Sequence, residues 1–201
     1  MGERETWTTD EFGDSHKGAV GVLLADGTVP RPAFFPMADQ GGGHTTSQWN
    51  VYDGRHGLTP RAHALRAVCS CGWTGPEHQV DWNGDGAQEF DDAAHELAYA
   101  CEQEWDEHTT EVEMSAVAMP DDITDLIRIL GDKLDKLGTE SPLVALRVVR
   151  MLELTAERSA RRPARIAQYD LGLEQSAAGL GLNEDGARRL LSRFGRFSPY
   201  S

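Results

Sequence analysis

From Pro120 onward the apolar residues recur at the spacing of an α-helix, and this periodicity constrains the chain more than any other feature. Ile123, Leu126, Ile127, Leu130, Leu134 and Leu137 share one face of a helix that Asp121 or Asp122 can cap and Gly138 can close. Ser141-Pro142 then starts a second helix, Leu143 to about Ser159, expected to bury Leu146, Val149 and Leu152 and to carry Arg147, Arg150 and Arg158 on its other sides. The pair should form an antiparallel hairpin. Its apolar surface exceeds what two helices bury between them, which points to packing on the terminal helices or on a second copy of the chain.

Upstream the pattern is different. Ala19 to Leu24 reads as a strand that enters a tight turn at Asp26-Gly27, after which Pro30, Pro32 and Pro36 limit pairing. Gln40 to Ser47, with consecutive glycines, reads as a loop. Trp49 to Tyr52 and His63 to Cys69 read as further strands, and Trp73 to Trp82 as the partner returning beside the latter. Ala87 to Thr109 lacks Gly and Pro and sets Phe90, Ala94, Leu97, Ala98, Cys101 and Trp105 on one stripe of an amphipathic helix with an acidic opposite face. The expected fold is α+β: an acidic domain over residues 1–118, with β-hairpins packed on a helix, and a helical domain over 119–201.

Charge is divided along the same line. Residues 1–142 carry 27 acidic and 9 basic side chains, whereas residues 143–201 carry 6 and 10. Only the later part is electrostatically suited to nucleic acid. The 13 carboxylates between Glu77 and Glu113, in a stretch without Lys or Arg, repel it. No run approaches the roughly 20 apolar residues of a membrane span, and the acidic start MGERETWTTDEFGD has no secretory pattern. With three cysteines in place of a paired framework, the expected location is the cytoplasm. The preponderance of 16 Arg over 3 Lys, with abundant Ala and Gly, resembles the composition of actinobacterial proteins.

Cys69-Ser70-Cys71-Gly72 sits at the expected hairpin turn, where two thiolates can converge on a zinc ion. Two more ligands are needed, from His78, His95, Cys101 and His108. Cys101 and His108 share a helix face but lie roughly 10 Å apart, so one at most joins. The expected set is Cys69, Cys71, His78 and His108, with zinc in a structural role. The alternative is two small cysteines in a tight turn and a buried, apolar Cys101. His16, His44, His56 and His63 have no partner pattern and are expected at the surface.

In Leu171 to Ser192, LGLEQSAAGLGLNEDGARRLLS, Gly181 can take the left-handed conformation that turns one helix into the next. Ala177 then falls where two helices touch, Leu180 and Leu182 flank the turn, and Ala187 and Leu190 face inward. Asn183 caps the second helix, with Glu184 and Asp185 in its first turn. Ser176 stands where the pattern prefers a larger apolar residue. Over roughly its last 40 residues, with the helix-turn-helix near 173–192, the chain resembles the helix-turn-helix families of bacterial regulators and of sigma-factor region 4. That resemblance makes the second helix the reading helix and implies DNA contacts from Asn183, Arg188, Arg189, Ser192, Arg193 and Arg196.

No phosphate loop, nucleophile elbow or zinc-protease motif is present, so no catalytic residue is expected. The expected function is that of a DNA-binding regulatory protein, weak as a single copy and therefore dimeric or partner-assisted, with an acidic domain for protein contacts or sensing. The alternative is an acidic adaptor or inhibitor that covers a basic surface on another protein, its helix-turn-helix serving only to pack.

Overall fold

The computed structural model describes residues 4–36, 42–54, 59–82 and 87–195. The fold is α+β, with small antiparallel sheets followed by helices. In chain order the elements are β1 (Gly18–Leu23), β2 (Ala33–Pro36), β3 (Gly43–Thr46), β4 (Ala64–Cys69), β5 (His78–Gln79), α1 (Ala87–Ser115), α2 (Asp121–Glu140), α3 (Pro142–Asp170), α4 (Leu173–Gly179) and α5 (Glu184–Gly195). The chain divides into two compact units, Met1–Glu111 and Val112–Ser201, a division that falls within α1.

In the first unit β1 pairs antiparallel with β4 from Gly18 opposite Cys69 to Leu23 opposite Ala64, and β5 adds to the far edge of β4. Alternation along β4 buries Leu65, Ala67 and Cys69, and on α1 the stripe Ala94, Cys101 and Trp105 is buried to match. These side chains, with Val20, Val22, Trp49, Tyr52 and Ala62, form one apolar cluster. Gly18 permits the closest approach in it: a Cβ there would lie 2.6 Å from the Trp105 ring. The side chain of Phe90, expected on the same stripe, lies outside the described residues, as does His56.

Three expectations for this unit are corrected. Of the segment expected as a loop, residues 40 and 41 lie outside the described residues, and Gly43, the last of the three glycines, opens a strand, since Gly43–Thr46 pairs with Ala33–Pro36, Phe35 opposite His44. The Phe34 ring covers Gly43, supplying the packing that the glycine lacks. Pro36 ends β2 without disrupting it, because each strand of a two-stranded sheet is an edge with one side free of ladder bonds. Trp49–Val51 is a single 3-10 turn rather than a strand. Finally, the return after the cysteine turn does run antiparallel beside β4 as expected, but not as one continuous strand: Val68 and Thr74 form a bridge, and regular strand pairing covers His78–Gln79.

In the second unit α2 and α3 pack on each other, and α3 also packs on α5. Both long helices outrun their expected ends. Gly138 does not stop α2, which continues to Glu140, and α3 runs through Pro163 to Asp170. The expected buried set in α3 is also corrected: Leu146, Val149 and Leu152 are exposed, and Ala145 is buried in their place. α3 is apolar over much of its circumference, so periodicity alone leaves open which side meets α2, and the small Ala145 lets the helices approach more closely than a leucine would.

Candidate metal centre and helix-turn-helix

Cys69 is the last residue of β4, and Ser70, Cys71 and Gly72 make the turn after it. The Gly72 N–H donates to the Cys69 carbonyl, and Gly72 has φ +100°, a conformation that favours glycine. The Trp73 N–H donates to the Cys71 sulfur at 3.4 Å. A short 3-10 turn, Gly13–His16, is tied to the same corner: the Ser70 hydroxyl donates to the Asp14 carbonyl and accepts from the Lys17 N–H, while the Ser70 N–H donates to the Lys17 carbonyl. This ties His16 to the cysteine turn and buries it, at 3% exposure.

The result is a cluster of four ligand atoms. Cys69 Sγ lies 3.6 Å from His16 Nδ1, and Cys71 Sγ lies 3.4 Å from His108 Nε2 on α1. All four ligand atoms are within 4.8 Å of one another, close enough to hold one metal ion. The Trp73 ring stacks on His108 at 4.3 Å between centroids and fixes the imidazole plane. A hydrogen bond from the Cys71 thiol holds the Cys69 thiol down to about 4, while the same neighbour and burial push Cys71 up. At neutral pH the two sulfurs therefore share one proton, leaving a thiolate beside a thiol.

Cys69, Cys71 and His108 thus converge, but His78 does not join them. It belongs to a second group, His78, Cys101 and Glu104, in which His78 Nε2 and Glu104 Oε1 are 2.7 Å apart. The register explains the correction. His78 pairs opposite Leu65, four residues from Cys69 and so about 13 Å away along a strand. Gly18, by contrast, pairs opposite Cys69 itself, which brings His16, two residues earlier, to the sulfur. Sequence reasoning placed His16 at the surface because this juxtaposition depends on the β1–β4 register. Cys101 is fully buried, and its thiol is pushed up to about 12 by burial and by the Glu104 charge, so it stays protonated and behaves as an apolar group. Of the other histidines, His44, His63 and His95 are exposed.

In the second unit α4 ends at Gly179 and Gly181 turns the chain with φ +60°. The Leu182 N–H donates back to the Ala177 carbonyl, and the Asn183 side chain caps α5 by accepting from the Gly186 N–H at 2.8 Å. Ala177 and Ala187 are buried; of the two leucines near the end of α5, Leu191 is buried and Leu190 only half-buried. A branched residue at Gly181 would hold a left-handed backbone at a cost of about 1–2 kcal/mol, so Gly181→Val is expected to lower unfolding stability by that amount in a denaturant titration.

The outward side of α5 carries Glu184, Asp185, Arg188, Arg189, Ser192 and Arg193, all exposed. Arg188 is engaged within its own helix, in a short ion pair with Asp185 and another with Glu184 at 3.8 Å. The Arg193 guanidinium lies over the Phe194 ring at 5.0 Å. Asn183 is occupied as a cap, and Arg196 lies outside the described residues. Among the described residues, no helix is long and apolar enough to cross a membrane. The chain matches no family model, no curated protein and no solved structure at a significant level.

Proposed function

We propose that this protein is a zinc-stabilised DNA-binding regulator, with a structural Cys2His2 zinc ion in the first unit and a helix-turn-helix that reads DNA through α5 in the second. The DNA reading is carried by the α4–Gly181–α5 geometry, which buries Ala177, Ala187 and Leu191 while turning Arg188, Arg189, Ser192 and Arg193 outward. Zinc is supported by distance. With Zn–S near 2.3 Å and Zn–N near 2.0–2.1 Å, a tetrahedral S···N edge is about 3.5 Å, and the Cys69–His16 and Cys71–His108 S···N distances are 3.6 and 3.4 Å. Two thiolates and two neutral imidazoles balance a dication and complete a tetrahedron, leaving no position for substrate; the ion's role is therefore structural.

DNA affinity in this reading comes mainly from Arg contacts to phosphate, opposed by the acidic first unit, so it is weak per chain and sensitive to salt. A homodimer answers that weakness. Leu126 and Ile127 on α2 and Leu143 and Leu146 on α3 are all exposed, an apolar surface of the kind that soluble chains cover. The aspartates at 121, 122, 125, 132 and 135 on α2 complement the arginines at 147, 150 and 158 on α3 of a second copy. A Leu126→Glu/Leu146→Glu variant is expected to sediment as a monomer where the parent chain is a dimer, with its helix content unchanged by circular dichroism.

Fluorescence anisotropy of labelled mixed-sequence duplex DNA, titrated at low and at moderate salt, tests the reading as a whole. Binding that weakens with salt supports it; no binding at low salt refutes a general affinity for DNA and leaves the acidic adaptor as the better account of the carboxylate-rich stretch.

A further inference from the structure

The first unit contains a cavity of about 210 Å³ that shares no residue with the His/Cys clusters. Three elements distant in sequence enclose it: the segment before β1, the 3-10 turn Trp49–Val51 and α1. Each contributes one electron-rich ring to the lining, respectively Trp7, Trp49 and Tyr99. Two carboxylates, Glu5 and Glu102, border the same space, as do the side chains of Gln48, Asn50 and His95.

Contacts among the three walls hold this lining in place. The Trp7 backbone pairs with Gly18 in both directions at 2.9 Å, and its ring packs on Trp105 with centroids 5.8 Å apart. The Glu5 N–H donates to Gln48 Oε1 at 2.6 Å, which joins the leading segment to the 3-10 turn. Trp49, itself buried in the apolar cluster, meets His95 edge to face at 5.0 Å, which joins the turn to α1. Tyr99 is exposed, and its hydroxyl accepts from the Gln103 amide at 3.0 Å.

The electrostatics select the sign of an occupant. No Lys or Arg lines the cavity among the described residues, and α1, which carries Glu102, contains neither. A concave site lined by one sign of charge concentrates the opposite ion, so an anion is disfavoured. The rings select the kind of cation: they offer no lone pair to a metal ion, but their negative faces attract an organic ammonium. The volume falls below the roughly 300–1,000 Å³ of drug-sized sites. At the packing density of protein interiors it suits a head group of about 5 to 8 non-hydrogen atoms.

We propose that this cavity binds a small, free quaternary ammonium compound of the choline class, with its methylated nitrogen against Trp7, Trp49 and Tyr99 and its charge balanced by Glu5 and Glu102. The proposal does not rest on DNA binding, because every lining residue belongs to the first unit.

The test is calorimetric titration of the intact chain with choline at neutral pH and moderate salt, with 3,3-dimethylbutan-1-ol, its uncharged isostere, in parallel. Saturable binding of one choline per chain is expected, about tenfold or more tighter than the alcohol. Tyr99→Leu keeps an apolar wall but removes the ring, and should weaken choline by about 2- to 5-fold. Glu102→Gln should weaken choline and leave the alcohol unchanged. Both variants should melt as the parent does, since Tyr99 is exposed and Glu102 only half-buried. Absence of saturable choline binding overturns the proposal, as does equal affinity for the alcohol or indifference to both substitutions. Tighter binding of a trimethyl-lysine peptide than of choline would overturn the assignment to a free ligand in favour of a protein tail.

Discussion

Chelation of zinc at neutral pH is expected to unfold much of the first unit while leaving the helices of the second intact. Structural zinc contributes apparent binding free energies of about 10–16 kcal/mol in zinc-finger peptides, comparable with the entire stability of an ordinary domain, about 5–15 kcal/mol. This unit also has an apolar core between β4 and α1, so part of its stability survives metal loss. Even a loss of about 3 kcal/mol lowers the melting temperature of a unit this size by roughly 12–24 °C. The purified chain should carry one zinc per molecule by elemental analysis. Cys69→Ser, Cys71→Ser, His16→Ala and His108→Ala should each reduce that content, and His78→Ala should not, because His78 faces Glu104. A zinc content unchanged in His16→Ala, or lost in His78→Ala, would show that another ligand set holds the ion.

The shared proton adds a pH dependence whose sign is fixed. Cys69 is held ionised down to about 4 and Cys71 is pushed up, so metal binding near neutrality must displace the proton kept on Cys71. Affinity therefore rises with pH and falls on acidification, as protons compete for sulfur and imidazole. Calorimetry in buffers of different ionisation enthalpy should register about one proton released from the thiol pair for each zinc bound.

Charge reversal on α5 should have the second large effect. Arg189→Glu and Arg193→Glu are each expected to weaken DNA binding by about tenfold to a hundredfold and to flatten the salt dependence, as expected for loss of a phosphate contact. Arg188→Glu should be milder, since Arg188 is already paired with Asp185 and Glu184 inside the helix. The converse distinguishes this reading from its competitor: Asp185→Asn removes a negative charge and frees Arg188, so DNA affinity should rise. A DNA affinity indifferent to all four substitutions would mean that α5 is not the reading helix. If the chain instead covers a basic partner, changes on α5 should leave that complex intact, whereas neutralising Glu102 and Glu107 of α1 should weaken it.

The readability of this chain from its residues alone follows the range of the interactions involved. The α+β class was legible because helical and strand periodicities are local, and so was the Asp26-Gly27 turn after β1, where Gly27 has φ +77°. α1 was equally plain in the Ala94, Cys101 and Trp105 stripe. Errors arose where a partner supplied the missing term. Gly43 looked like loop until the Phe34 ring covered it, and Leu146 looked buried until Ala145 turned out to face the core.

By itself, then, the sequence determined the cysteine turn, the helical second half, and a left-handed glycine at 181 with an Arg-bearing helix after it. Each depends on residues within a few positions of one another, where backbone conformation and side-chain spacing act directly. Only the tertiary structure decided that His16 rather than His78 meets Cys69, since the β1–β4 register sets the first distance and the β4–β5 register the second. It also decided that Trp7, Trp49 and Tyr99 border one cavity. Residues far apart in sequence become neighbours through packing, and the identity of a ligand or a cavity wall is settled by that packing.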